Sequence, residues 1–115
     1  MSELSEKQRR MPLHIAELVV WANQQPGVEL AFGDAYRDVR IHGNIGVKKL
    51  YGHKNSCHKL RLAVDLILFI DGVYQTTTEA YAFLGEKWES IAPDCRWGGR
   101  FADGTHFSIT YNGFK

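Results

Sequence analysis

Residues 62–70 read LAVDLILFI, apolar at every position except Asp65. A run of that length, closed by the turn pair Asp71-Gly72, predicts a central strand that returns as a hairpin through Val73-Tyr74-Gln75. Asp65 is the anomaly. An unpaired carboxylate buried in such a strand costs several kcal/mol, so it must be paired, neutralised or bound to a metal. A histidine, His58, stands seven residues earlier in NSCHKLR, residues 55–61.

Outward from this strand the pattern mixes helical and extended periods. MPLHIAELVVWANQ, residues 11–24, sets Met11, Ile15, Leu18, Val19 and Ala22 at helical spacing, and Pro26-Gly27 ends it. Val28 to Phe32 predicts a short strand. From Gly33 to Asn55 glycine and basic residues dominate with weak periodicity, which predicts a long, partly irregular loop, a kind often functional or mobile. Thr76-Thr77-Thr78-Glu79 matches a capping box with Thr76 as the cap. The helix it opens buries Tyr81, Leu84, Trp88 and Ile91, and Pro93 closes it. Gly98-Gly99 and Asp103-Gly104 mark turns, and His106 to Tyr111 alternates as a final strand. Helices and antiparallel strands without βαβ regularity predict a small α+β domain, an antiparallel sheet with helices packed on it.

Composition narrows the classes of function. The 115 residues suffice for one hydrophobic core, and 44% apolar with 23% charged content is ordinary for a soluble globular domain. No apolar run approaches the ~18–20 residues of a membrane helix, so no membrane insertion is expected. The polar start, MSELSEKQRR, is not a secretory signal peptide, which predicts synthesis in a cytoplasm. A net charge of +1 gives no global case for a nucleic-acid partner. The charge is uneven, however. Between Asp38 and Asp65 stand Arg40, Lys48, Lys49, Lys54, Lys59 and Arg61 without one acid, either a solvated face or a rim that attracts an anionic polymer. Cys57 and Cys95 form no C-x-x-C pair and are expected to be free thiols.

Asp65 and His58 can share a metal only under a geometric condition. Seven residues span roughly 23 Å extended or rise roughly 10 Å in a helix, whereas zinc ligands lie ~2 Å from the ion. The Lys59-Leu60-Arg61 segment must therefore turn back on the strand. His106 heads the last strand as a candidate third ligand, and Asp103 precedes it by three residues in DGTH. Two histidines, one carboxylate and a second, unligated acid are what an open catalytic zinc site needs: the ion activates water and polarises a carbonyl while the acid moves the proton. The competing reading pairs Asp65 with Arg61, Arg96 or Arg100.

Ser56-Cys57-His58 followed by Ala63-Val64-Asp65 resembles the S-x-H-x(4)-A-x-D signature of the zinc D-alanyl-D-alanine carboxypeptidases and L-alanyl-D-glutamate endopeptidases. Asp103 and His106 match that family's later carboxylate-x-x-His. Ala35-Tyr36-Arg37 resembles its G-Y-R element, and the short chain with Trp97 to Phe101, WGGRF, is most similar to its compact bacteriophage endolysins. The likeness runs from about Phe32 to Ser108. It departs from the signature at Arg61, where a glycine is usual, at Ala35, likewise, and in having D-x-x-H where many carboxypeptidases have E-x-W-H.

What the resemblance implies is a single zinc peptidase domain over residues 1–115 of the hedgehog and D-Ala-D-Ala peptidase kind, without a separate wall-binding domain. One Zn2+ would be held at the sheet by His58, Asp65 and His106, with Asp103 as general base. Arg37 would clamp a carboxylate of the peptidoglycan stem peptide, unless it is a solvated surface arginine. Ser56 either supports the first ligand or caps a turn, and Trp97 either walls the cleft or packs in the core. The expected protein is a monomer that reaches the cell wall after release from a host cytoplasm and cuts its peptide stems, as endopeptidase or carboxypeptidase. The alternative from another class is a non-catalytic binding module with a structural zinc. A cysteine nucleophile at Cys57 with His106 as base is disfavoured, because neighbouring strand side chains point apart and no oxyanion motif is evident.

Overall fold

The computed structural model describes residues 2–33 and 57–114, and for residues 58 and 59 the backbone only. The predicted long loop and its basic residues up to Lys54 lie outside the described residues, as do His42 and His53. Helix α1, Glu3–Asn23, begins two turns before the apolar period. Polar chemistry forms those turns. The Ser2 hydroxyl accepts from the Ser5 amide at 3.1 Å, and Glu3 and Glu6 complement the positive end of the helix dipole. Lys7 ties this end to the sheet, donating to the Asp94 carboxylate at 3.0 Å and the Thr110 carbonyl at 2.7 Å.

Strand β1, Val28–Phe32, pairs antiparallel with β2, Ala63–Ile70, from Val28↔Ile70 to Phe32↔Leu66. Asp71 (φ 51°) and Gly72 (φ 80°) both sit in the left-handed region of a primed hairpin turn, which returns β2 into β3, Val73–Tyr74. A 3-10 turn, Thr78–Tyr81, leads into α2, Ala82–Ile91. Its cap is Thr77 rather than Thr76, with the Thr77 side chain accepting from the Ala80 amide. Strand β4, Cys95–Trp97, is followed by a 3-10 turn at Gly98–Phe101, where the two glycines predicted a simple turn, and then by β5, His106–Ile109. Strand order is β1-β2-β5-β4, with β3 beside β2 and all pairings antiparallel.

The period of two divides β2 between two faces. Val64, Leu66 and Leu68 are buried in the core with Leu18, Leu84, Trp88 and Phe107. Trp88 meets Phe107 edge-on at 6.1 Å and donates its indole N–H to the Ser108 carbonyl at 3.0 Å. The Tyr81 hydroxyl bridges two segments, accepting from the Leu68 amide and donating to the Gln75 carbonyl. Helices thus cover one face, and Asp65 points to the other. The described residues form a small α+β unit with an antiparallel sheet and two helices. Among the described residues, no helix is long and apolar enough to cross a membrane.

Candidate functional site

Strand register places the two central residues. β2 pairs with β5 as Ala63↔Ser108, Val64↔Phe107 and Asp65↔His106. The Leu66 amide donates to the Thr105 carbonyl at 2.9 Å, and the Ile109 amide donates to the Leu62 carbonyl at 2.8 Å. These bonds fix the alternation, so Asp65 and His106 fall at a pair that exchanges no backbone bond, where facing side chains stand closest. His106 Nδ1 lies 3.8 Å from Asp65 Oδ1, and the two side chains are only 10% and 15% exposed. Two donors on a tetrahedral zinc with ~2.0–2.1 Å bonds stand roughly 3.3 Å apart. A nitrogen and an oxygen donor already facing each other across the ladder fit that ion with a small closure.

The backbone at His58 turns just ahead of β2. Residues Cys57–Leu60 form a 3-10 turn, and Arg61 follows with φ 57°. The Leu62 amide closes back on the Cys57 carbonyl at 2.9 Å. A left-handed conformation at a non-glycine residue carries a steric cost, which the surrounding turn must offset. Two anchors hold the turn. Gln8 of α1 donates to the Leu60 carbonyl at 2.8 Å, and the buried Cys57 thiol donates to the Ile109 carbonyl at 3.1 Å. The side chain of His58 lies outside the described residues, as do Arg37 and Ser56 entirely. Among the described residues, no cluster of three or more histidine, cysteine or acidic side chains is placed to hold a metal.

Asp103 is carried by a tight turn that also fixes His106. Its amide donates to the Gly98 carbonyl at 3.0 Å and its carbonyl accepts from the His106 amide at 3.1 Å. The side chain is exposed, with Thr105 donating to Oδ1 at 3.5 Å. Gly98 has no room for a side chain: a Cβ there would stand 2.5 Å from the Asp103 carbonyl oxygen and 2.7 Å from the His106 Cβ. An exposed acid is thereby linked through backbone bonds to a buried imidazole, which in turn faces a partly buried acid. Such a set can bind a cation at the buried pair and accept a proton at its edge.

Trp97 is taken up by packing. Its indole N–H donates to the Gly104 carbonyl at 2.8 Å, and its ring lies where a Cβ on Gly85 or Gly99 would go. The arginines weighed against Asp65 are differently placed. Arg100 is held by Glu89 at 2.6 Å, Arg96 stacks on the exposed Phe101 with 4.2 Å to the ring centroid, and Arg61 is exposed. Glu89 escaped the sequence reading. It sits on the polar side of α2, and only the WGGR turn it meets in space gives it a task. The Arg100 hydrogen bond holds its carboxyl below the ordinary carboxylate value. Burial pushes the thiols of Cys57 and Cys95 up to about 12, so both stay protonated at neutral pH and neither is an activated nucleophile.

Comparison with known proteins leaves the family open: no family model matches the chain, and no curated protein matches it either.

Proposed function

We propose that this chain is a zinc-dependent peptidase that hydrolyses the peptide stem of bacterial peptidoglycan, acting as an L-alanyl-D-glutamate endopeptidase of the phage endolysin kind. The observation that carries the reading is the cross-strand pair Asp65–His106 with the exposed Asp103 tied three residues upstream of the histidine. These residues stand in the order of the family signature, and a carboxylate facing an imidazole across the ladder is a donor pair that a divalent cation can use. Asp65 and His106 would hold the ion, with His58 as the third donor. Bound there, zinc supplies Lewis-acid polarisation of the scissile carbonyl and lowers the pKa of water.

The chain's own residues do the rest. Asp103 takes a proton from the attacking water and returns it to the leaving amine. Its exposure leaves it open to both, and backbone bonds tie its turn to Gly98 and His106. Arg37 would clamp a stem carboxylate. The short D-x-x-H favours the endopeptidase branch over the carboxypeptidase one.

Mass spectrometry of defined muropeptides, digested with zinc present, tests the reading. The expected product is a freed stem fragment beginning at glutamate. Asp103→Ala should keep bound zinc and lose hydrolysis. Loss of one terminal alanine instead would assign carboxypeptidase activity, and unchanged muropeptides would favour the binding module.

A further inference from the structure

The turn that carries Asp103 and His106 is gripped by a side chain of α2. Glu89, on the last turns of α2, accepts from the Trp97 amide through Oε2 at 3.1 Å. The same oxygen accepts from Arg100 Nε at 3.2 Å, and Oε1 accepts from Arg100 Nη2 at 2.6 Å. Trp97 ends β4 and Arg100 lies within the 3-10 turn, so this carboxylate grips the turn at its entrance and in its middle. Successive backbone bonds hang the rest of the loop from the gripped segment: Ala102 on Gly99, Asp103 on Gly98, and His106 on Asp103. A second fastening, the Trp97 indole on the Gly104 carbonyl, closes the far end of the loop.

The two fastenings differ in kind. The indole is wedged between glycines and cannot shift without repacking, whereas the carboxylate clamp is ionic and lies at the edge of the sheet. Strand β4 is paired along its other side with β5. Among the described residues, the hydrogen-bond partners of Glu89 are the last residue of β4, Trp97, and Arg100 of the turn that leads to Asp103. We infer that Glu89 is a positioning residue, which sets the placement of Asp103 relative to the Asp65–His106 pair by clamping residues 97–100 to α2. The inference rests on the peptidase reading for its effect on turnover, while the clamp itself stands on geometry independent of it.

The test compares wild type with Glu89→Gln, which leaves an oxygen for the Trp97 amide but no charge for Arg100, and with Glu89→Ala, which leaves neither. Measurements are made well below the melting temperature of each variant. The clamp predicts faster amide hydrogen exchange at Ala102, Asp103 and His106 in the zinc-free full chain, larger for alanine than glutamine. It also predicts a kcat loss of roughly tenfold or more, as a sub-ångström shift of a general base can produce, with KM and zinc affinity little changed. Exchange at those amides equal to wild type would overturn the clamp, and so would an equal loss of protection across all of β4 and β5. Should no variant, wild type included, hydrolyse muropeptides, the peptidase reading fails, and the exchange data still decide the clamp.

Discussion

Cys57 and Cys95 are each buried, and burial pushes their thiols up to about 12 from an ordinary 9.0. The folded pKa is raised, so the stabilisation is complete below pH 9.0 and is lost as pH rises towards 12, where the unfolded chain ionises first. Denaturant melts should therefore show stability falling above pH 9.0, less steeply in Cys95→Ala than in wild type, and a thiol reagent at pH 8 should label both cysteines only after unfolding. Rapid native labelling of Cys57 would revive the nucleophile reading. Asp65→Asn is the complementary probe. It keeps size and removes the charge, so zinc affinity should fall by more than the ~10–100-fold that loss of an outer partner costs. Isothermal titration reads it, and unchanged affinity would move the site elsewhere.

At the scale of elements, the turn after β4 is where local geometry and candidate chemistry meet. Gly98→Ala would drive a Cβ into the Asp103 carbonyl and the His106 Cβ, costing about 1–3 kcal/mol by overpacking and displacing both residues together. The protein should melt at lower temperature and lose turnover, as calorimetry and a muropeptide assay would show. The Glu89–Arg100 pair adds a pH dependence. The Glu89 pKa is depressed below 4.5, so its contribution is present above that value and lost as pH falls through the lowered one. The melting-temperature gap between wild type and Glu89→Gln should then close in acid; a gap that persists unchanged at pH 3 would remove the ionic part of the clamp.

The same elements show what a sequence can carry. The β2–β3 hairpin was legible because nine nearly apolar residues and Asp71-Gly72 are signals local to the chain. The two polar turns opening α1 were not, for they are held by a serine cap and by Lys7 reaching Asp94, a partner 87 residues away. Thr77 in place of Thr76 as the cap comes from a 3-10 turn inserted before α2, which spacing does not announce. Asp65, Asp103 and His106 were legible as unusual residue types in context, whereas the register that sets Asp65 opposite His106 is a property of paired strands. Glu89 had no local signal at all.

Across the whole molecule the sheet separates two tasks. Among the described residues, α1, α2 and the aromatic core lie on one face, while Asp65 and His106 share the other, so the candidate site rests on packed strands. That arrangement predicts a linkage between metal and fold. Zinc at about 100 times its Kd should add about 2.7 kcal/mol to the stability of the wild type, raising its melting temperature by several degrees. Replacing His58, Asp65 or His106 should abolish the rise, and Asp103→Ala should leave it intact. The most direct measurement is anomalous diffraction at the zinc edge from crystals grown with one equivalent of zinc. A single peak is expected ~2.0–2.2 Å from both an Asp65 oxygen and a His106 ring nitrogen; a metal-free pair, with zinc absent or bound elsewhere, would refute the zinc site.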